Sequence, residues 1–206
     1  MFKTCKPPAD RRREDIALIA LGLFREKGFS GTSMNAVARA AGIRKPSLYH
    51  HFASKEELFI AALTADIAAP LASVAALLED PSGDAGDRFR RALGLLYDAM
   101  VGSSVGNLAA VIAETAQQVP AVAEGFHDEF ITLFEDALER AYRPCVAAGT
   151  HRGLPREEIG QVVFGPLLSI SMSKAMFREV PRIATGWEKG KSRPEFVAMI
   201  DGLLRV

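Results

Sequence analysis

Cysteine is nearly absent from this 206-residue chain: there are two, Cys5 and Cys145, separated by most of the sequence. Two isolated cysteines supply neither a disulfide framework nor the paired spacing of a zinc site, and the state expected for them is reduced, in a cytoplasmic protein. Net charge is missing as well: 25 Lys and Arg face 25 Asp and Glu, so the chain as a whole attracts no charged partner. No glycine-rich phosphate loop, nucleophile elbow or metal-ligand spacing occurs, which argues against an enzyme and against a bound cofactor or metal. Long apolar runs are lacking too. The alanine-rich stretch after Phe59 is interrupted by Asp66 and Pro70, which argues against a membrane span. "RRREDIALIALGLF" places arginines before apolar residues, but Glu14 and Asp15 intervene and Arg25-Glu26-Lys27 follow. It reads as an amphipathic helix rather than a secretory leader. Strand signals are scarce, leaving an all-α chain as the expectation.

What is present is helical periodicity. Ile16, Ile19, Ala20 and Leu23 lie at i, i+3, i+4 and i+7, with Gly28 as a stop. Met34, Val37, Ala38 and Ala41 repeat the pattern and end at Gly42, and a short helix comes next over 45–51. Ser54 and Glu57 form an S-x-x-E capping box for a helix that reaches about Leu78, bent or broken at Pro70. "EDPSGDAGD" is the clearest loop. Further helices are expected over 88–101, 108–118, 122–148, 158–178 and 194–204, with kinks or breaks at Pro144 and Pro166. The stripe of the 122–148 helix is Phe126, Phe130, Leu133, Ala137, Leu138 and Ala141. "VPRIATGWEKGKSRP" is expected to be a loop.

Charge is unevenly spread. Residues 1–60 hold eleven of the Lys and Arg but six of the Asp and Glu, so a basic N-terminal segment is balanced by an acidic remainder. This points to a nucleic-acid or other acidic partner for the first segment. The same segment holds "TSMNAVARAAGIRKPSLYHHFASKEEL", residues 32–58. A helix, a glycine turn and a second short helix make helix-turn-helix geometry. Leu48 and Phe52 would face inward against Val37 and Ile43. Pro46, Ser47, Tyr49 and His50 would face out, with Arg44 and Lys45 at the exposed N-terminal end, the surface a recognition helix offers a major groove. Pro46 in a first helical turn forfeits no helix bond and presents an apolar face to a thymine methyl. Thr32 or Ser33 can cap the first of the two helices. Lys55 begins the next helix, where ammonium and dipole both favour an anion, and Tyr49 and His51 carry donors for phosphate. The adjacent His50 and His51 point about 100° apart on a helix and do not make a metal pair. Arg11, Arg12 and Arg13 read as a solvated face or as an added phosphate-binding arm.

T-S-M-x-x-V-A-x-x-A-G-I-x-x-P-S-L-Y-H-H-F-x-S-K-E-E-L resembles the DNA-binding signature of tetracycline-repressor-type (TetR) regulators, over about residues 10–60. The resemblance implies backbone contacts from Thr32, Ser33, Tyr49, His51 and Lys55. It makes Lys45, Pro46, Ser47 and His50 candidates for base contact. Arg44 departs from the pattern, which often has a small capping residue there.

The resemblance also implies that residues 61–206 form a larger helical domain that binds a small molecule and dimerises, beyond a DNA-binding domain of residues 1–60. The effector is expected to be largely apolar, with candidate contacts at Leu63, Ile67, Tyr97, Asn107, Glu114, Thr115, Gln118 and His127. The last two helices are apolar on most sides and need a cover. The expected dimer interface is Ile159, Val162, Val163, Leu167, Ile170, Phe196, Ile200, Leu203 and Leu204. The function expected is a ligand-responsive repressor, a homodimer released from a pseudo-palindromic double-stranded operator by a small molecule. The alternatives are an activator or architectural DNA binder without a small ligand, and a ligand-binding or scaffold protein that has lost DNA binding.

Overall fold

The computed structural model describes residues 8–80, 82–102, 104–177, 180 and 192–206, with side chains undescribed at 8–10 and 104–110. Among these residues every regular element is a helix: α1 (Pro8–Gly31), α2 (Met34–Ala40), α3 (Lys45–His51), α4 (Lys55–Glu79), α5 (Ala85–Val101), α6 (Ser104–Gln118), α7 (Pro120–Phe126), a π-helical turn (His127–Ile131), α8 (Thr132–Ala147), α9 (Arg156–Phe177) and α10 (Arg193–Leu204). The chain divides into two compact units, residues 1–66 with 110–129, and residues 67–109 with 130–206. Residues 110–129, which the sequence grouped with the larger domain, thus belong to the first unit. The boundary falls inside α4, between Asp66 and Ile67.

In the first unit three phenylalanines form the centre of the core. Phe59 meets Phe24 edge-on at 4.9 Å and Phe29 at 5.2 Å, while Phe24 and Phe29 stack at 6.0 Å. Each buried phenyl ring contributes about 2–3 kcal/mol relative to exposure, which joins α1 to α4. Gly28 interrupts α1 where the sequence placed a stop: with φ 69° and ψ 177° it adopts a conformation that favours glycine, and a separate short turn leads on to Gly31.

The second unit is built around α5, which packs against α8, α9 and α10. Phe89, Leu93 and Leu96 of α5 are fully buried, as are Val163 and Leu167 of α9 and Phe196 of α10. Helices α4, α8 and α9 run through Pro70, Pro144 and Pro166 without a break. The α4 helix has the length and hydropathy of a membrane-crossing segment. Leu58, Phe59, Ala62, Leu63, Ile67 and Val74 are buried inside protein, which accounts for its apolarity.

The single helix expected over 122–148 is two helices separated by the π turn. A π turn inserts a residue and rotates the downstream helix by about 100°. The buried series becomes Phe130, Phe134, Leu138, Ala141 and Cys145, and Leu133, placed in the stripe by sequence, is exposed. The loop expected over 180–194 lies mostly outside the described residues.

At one end of the second unit, the stretch after α8 is pinned to α10 by a polar knot that sequence reading missed. His151, its side chain fully buried, lies with Nε2 3.1 Å from Asp201 Oδ1 and Nδ1 2.9 Å from Thr150 Oγ1. The other Asp201 oxygen accepts from Arg205 Nε at 2.9 Å, with Arg90 Nη1 at 3.4 Å. Burial alone would raise the Asp201 carboxyl, but hydrogen bonds from Arg205 and His151 and the charges of Arg205 and Arg90 outweigh it and hold it below its ordinary value. Phe89 and Tyr142 pack against the His151 ring.

Candidate nucleic-acid interface

The turn between α2 and α3 is determined by Gly42. Its φ of +65° lets Ile43 N–H donate to Ala38 O at 3.0 Å and Gly42 N–H donate to Arg39 O at 3.2 Å, a Schellman ending. Leu48 and Phe52 are fully buried, as is Val37, and this fixes the roll of α3. Arg44, Lys45, Pro46, Ser47, Tyr49 and His50 consequently stand exposed, and His51 is half-buried. The Lys45 ammonium lies 5.7 Å from the centre of the Tyr49 ring, one turn along, a cation–π approach that keeps both groups on one face. The rings of His50 and His51 sit 6.1 Å apart at 68°. Among the described residues no three His, Cys, Asp or Glu side chains gather as a metal site. Arg44 occupies the N-cap of α3 with extended backbone and no side-chain cap bond.

Ser33 caps α2, its Oγ accepting from Ala36 N–H at 3.2 Å. Thr32, expected beside it as a cap or phosphate contact, is turned inward and buried. Its hydroxyl donates to Gly28 O at 2.8 Å, with Leu23 O at 3.2 Å. Hence Thr32 closes the kink in α1 and presents no donor to a ligand. Lys55 is likewise engaged within the protein: its ammonium donates to Phe29 O at 3.0 Å and Thr32 O at 3.2 Å and sits 4.1 Å from the Phe29 ring centre.

The arginines of α1 do not form a loose arm where they are described. Arg12 donates to Ala41 O at 2.9 Å, holding the end of α2. Arg13 donates through Nε to His51 O at 3.3 Å, pairs with Glu57 at 2.8 Å, and covers the Phe52 ring at 4.5 Å. The capping box at Ser54 is half as expected. Glu57 N–H donates to Ser54 Oγ at 3.1 Å, but the Glu57 carboxylate reaches one residue further back, to Ala53 N–H at 2.7 Å. In this way Arg13 and Glu57 bracket the turn between α3 and α4.

The residues expected to contact an effector differ in exposure. Leu63, Ile67, Tyr97 and Thr115 are buried. The Thr115 hydroxyl donates to Val111 O of its own helix, and Tyr97 packs against Phe196. Burial raises the Tyr97 phenol above its ordinary value. Glu114, Gln118 and His127 face solvent, His127 with Asp128 at 2.9 Å. These three do not line an enclosed site in this conformation. The Asn107 side chain lies outside the described residues.

Most of the expected dimer interface is core of the chain itself. Ile159, Val163, Leu167, Ile170, Phe196, Ile200 and Leu204 are buried without any partner, and Val162 is half-buried. Of that set Leu203, 56 % exposed, alone faces outward. The exposed apolar groups of the same two helices are Met172 and Met176 on α9 and Met199 and Leu203 on α10, each pair four residues apart.

Residues 19–62 match the family model described as bacterial regulatory proteins, tetR family. Over 150 residues the chain is 29% identical to the HTH-type transcriptional activator FasR of Mycolicibacterium smegmatis, covering 69% of this chain and 68% of that protein. It is 47% identical over 47 residues to the HTH-type transcriptional repressor KstR2 of Mycobacterium tuberculosis, a match that spans 23% of this chain and 24% of that one. Among solved structures, the fatty acid degradation regulator FadR from Bacillus halodurans superposes with a TM-score of 0.67 at 14% identity, over 97% of this chain and 96% of that one. GusR of Salmonella enterica gives 0.62 at 21% identity, over 98% and 99%. With the exposed α3 face and the buried Leu48 and Phe52, residues 19–62 form a DNA-binding helix-turn-helix of the tetR family, and the chain is similar to transcriptional regulators that carry it.

Proposed function

We propose that the chain is a ligand-responsive repressor that works as a homodimer on a pseudo-palindromic operator. The observation carrying this reading is α4. It is one unbroken helix whose residues to Asp66 belong to the first unit and whose residues from Ile67 belong to the second. Its start is bonded to the head through Lys55 and Glu57. A small molecule that favours one position of its distal part therefore changes the placement of α3, and only such a preference can couple two sites. The effector is largely apolar, and buried Ile67 and Tyr97, both in the second unit, are its candidate contacts. Within the head, Ser33 and Tyr49 supply backbone contacts, and Lys45, Pro46, Ser47 and His50 are the base-reading set.

One recognition helix reads a short half-site, so a two-fold dimer reads two. The proposed interface uses the outward faces of α9 and α10: Met172, Met176, Met199 and Leu203. A second reading, an activator with the same head, is favoured by the 150-residue match to FasR, a transcriptional activator. Selection of bound duplexes from a random pool yields the operator. Transcription from a promoter carrying it, with and without the protein, then separates repression from activation. Ligand titration with and without that operator tests the coupling. By reciprocity operator must weaken effector binding by the factor by which effector weakens operator binding, and equal affinities would exclude ligand control.

A further inference from the structure

We propose that Lys55 is a positioning residue for DNA binding, which fixes the turn between α1 and α2 and so places Ser33, rather than a ligand of DNA phosphate. The proposal rests on the DNA-binding reading of the head. An ammonium has three donors, and two of them are on Phe29 O and Thr32 O. Its charge lies 4.1 Å from the Phe29 ring centre, where the ring quadrupole attracts it. Phe29 O also accepts from Thr32 N–H at 3.2 Å, so the ammonium takes the remaining lone pair of a carbonyl that already closes the turn. One turn further along α4, Phe59 presses edge-on against the same Phe29 ring at 5.2 Å. Lys55 and Phe59 are four residues apart and share a helix face. That face therefore grips the 28–32 turn with a phenyl ring and an ammonium together.

The grip ends at the cap of α2. Thr32 is held at both its groups, the hydroxyl on Gly28 O and the carbonyl on Lys55. The next residue is Ser33, whose Oγ caps α2 at Ala36 N–H. Removing the ammonium releases the Thr32 carbonyl, leaves Phe29 O with the Thr32 N–H, and lets the Ser33 end of α2 shift relative to α4. Affinity then falls on every DNA sequence, as it would for a lost phosphate contact, but for a different reason. The two causes separate by salt, since a lost phosphate contact lowers the slope of log K against log salt by about 0.9 on B-form DNA. Loss of positioning weakens the uncharged contact from Ser33 but removes no cation from a phosphate, so the slope, which counts phosphates neutralised by Lys and Arg, is unchanged.

The test uses the full chain and a duplex selected by the unmutated protein, with anisotropy titrations at several salt concentrations. The variants are Lys55→Met, Ser33→Ala and the double variant, each checked for folding by circular dichroism. Lys55→Met is expected to weaken binding about 10-fold with the slope unchanged, on the scale of one lost positioning interaction. Exchange protection at the Ala36 amide should fall, and in the Ser33→Ala background the Lys55→Met loss should shrink to about threefold or less through coupling. A slope reduced by about 0.9 with Ala36 protection intact overturns the proposal, as does full additivity with Ser33→Ala. If Lys55→Met does not fold, Lys55→Arg decides. Its planar fork keeps the charge but does not fit both carbonyls, so binding should weaken at constant slope. Unchanged binding by Lys55→Arg assigns Lys55 to phosphate and overturns the proposal. No duplex recovered by the unmutated protein overturns the underlying DNA-binding reading instead.

Discussion

In the first unit the ammonium of Lys55 meets two carbonyls and a phenyl ring, whereas in the second the carboxylate of Asp201 is faced by Arg90, His151 and Arg205. The outer faces differ in the opposite sense. The exposed face of α3 carries Lys45, Ser47, Tyr49 and His50, while the exposed faces of α9 and α10 carry Met172, Met176, Met199 and Leu203. A head that meets a polyanion keeps its charge and hydroxyls outside and satisfies an inward cation with neutral groups. A unit proposed to meet its own copy keeps apolar groups outside and closes its charges into an internal knot. The same residue types thus take opposite positions, and position, not composition, separates a DNA surface from a protein surface.

The largest expected effect tests the two faces of α10. Leu204 is 1 % exposed and its neighbour Leu203 is 56 % exposed. Leu204→Glu buries an unpaired carboxylate and should remove several kcal/mol, enough to prevent folding of the second unit. Leu203→Glu should leave the fold intact and shift the protein to monomer, read by sedimentation at micromolar concentration. If the unmutated protein is already monomeric there, the proposed interface on α9 and α10 is wrong.

Next in size is the knot. Asp201→Ala leaves His151 and Arg205 without their carboxylate and Arg90 with Asp87 alone, and should destabilise the second unit by about 3 kcal/mol, the lower end for a broken buried pair because both arginines reach water. The pH dependence has a definite sign. The folded carboxyl is held below its ordinary value of 3.8, so its stabilisation is complete well above that value. It is lost as pH falls through the lower, folded value. Protection of α5 and α10 amides, taken relative to their intrinsic exchange at each pH, should therefore fall on acidification below about pH 5, and less so in Asp201→Asn. Equal acid sensitivity of the two proteins would separate the knot from the pH response.

Much of the head was legible because its signals are local. Gly42, the Ser33 cap and the Leu48–Phe52 spacing each lie within a few residues of the feature they determine. The inward bonds of Thr32 and Lys55 were not legible because a hydroxyl or ammonium beside a helix start looks the same in sequence whether it faces in or out. Here the kink at Gly28 brings the 28–32 carbonyls to them. In α10, periodicity identified apolar positions without showing which had a neighbour in the same chain. Phe196, Ile200 and Leu204 repeat every four residues on one side, and Met199 and Leu203 do so on another. The His151–Asp201 contact joins residues 50 apart and has no local signal.

Base reading should produce a smaller effect than either of these and should leave stability alone. Lys45 and His50 are exposed and outside the core, so Lys45→Ala or His50→Ala should keep the thermal midpoint. Each should change the preferred base at one or two positions of the half-site, at about 1–3 kcal/mol for a lost good contact. Repeating the duplex selection with each variant reads this directly. An unchanged sequence preference with uniformly weaker binding would move the residue from the base-reading set to the phosphate set.

The smallest effect isolates α3 itself. Arg44 holds the N-cap position with φ −78° and ψ 150° and makes no side-chain cap bond. That backbone suits a serine cap, whose hydroxyl would accept from the Ser47 amide three residues on. Arg44→Ser should therefore stabilise the first unit by about 0.5–1 kcal/mol. The same change deletes an exposed cation from the DNA-facing end of α3. If that guanidinium neutralises a phosphate, affinity falls and the salt slope drops by about 0.9. Stability and binding then move in opposite directions for one substitution, in contrast to Lys55→Met, for which both fall together. Thermal melts and salt titrations on the same two variants resolve the contrast. A loss of stability in Arg44→Ser would mean that the arginine supports α3 through its aliphatic stem, and that the uncapped start of the helix is stabilised by packing rather than left open for DNA.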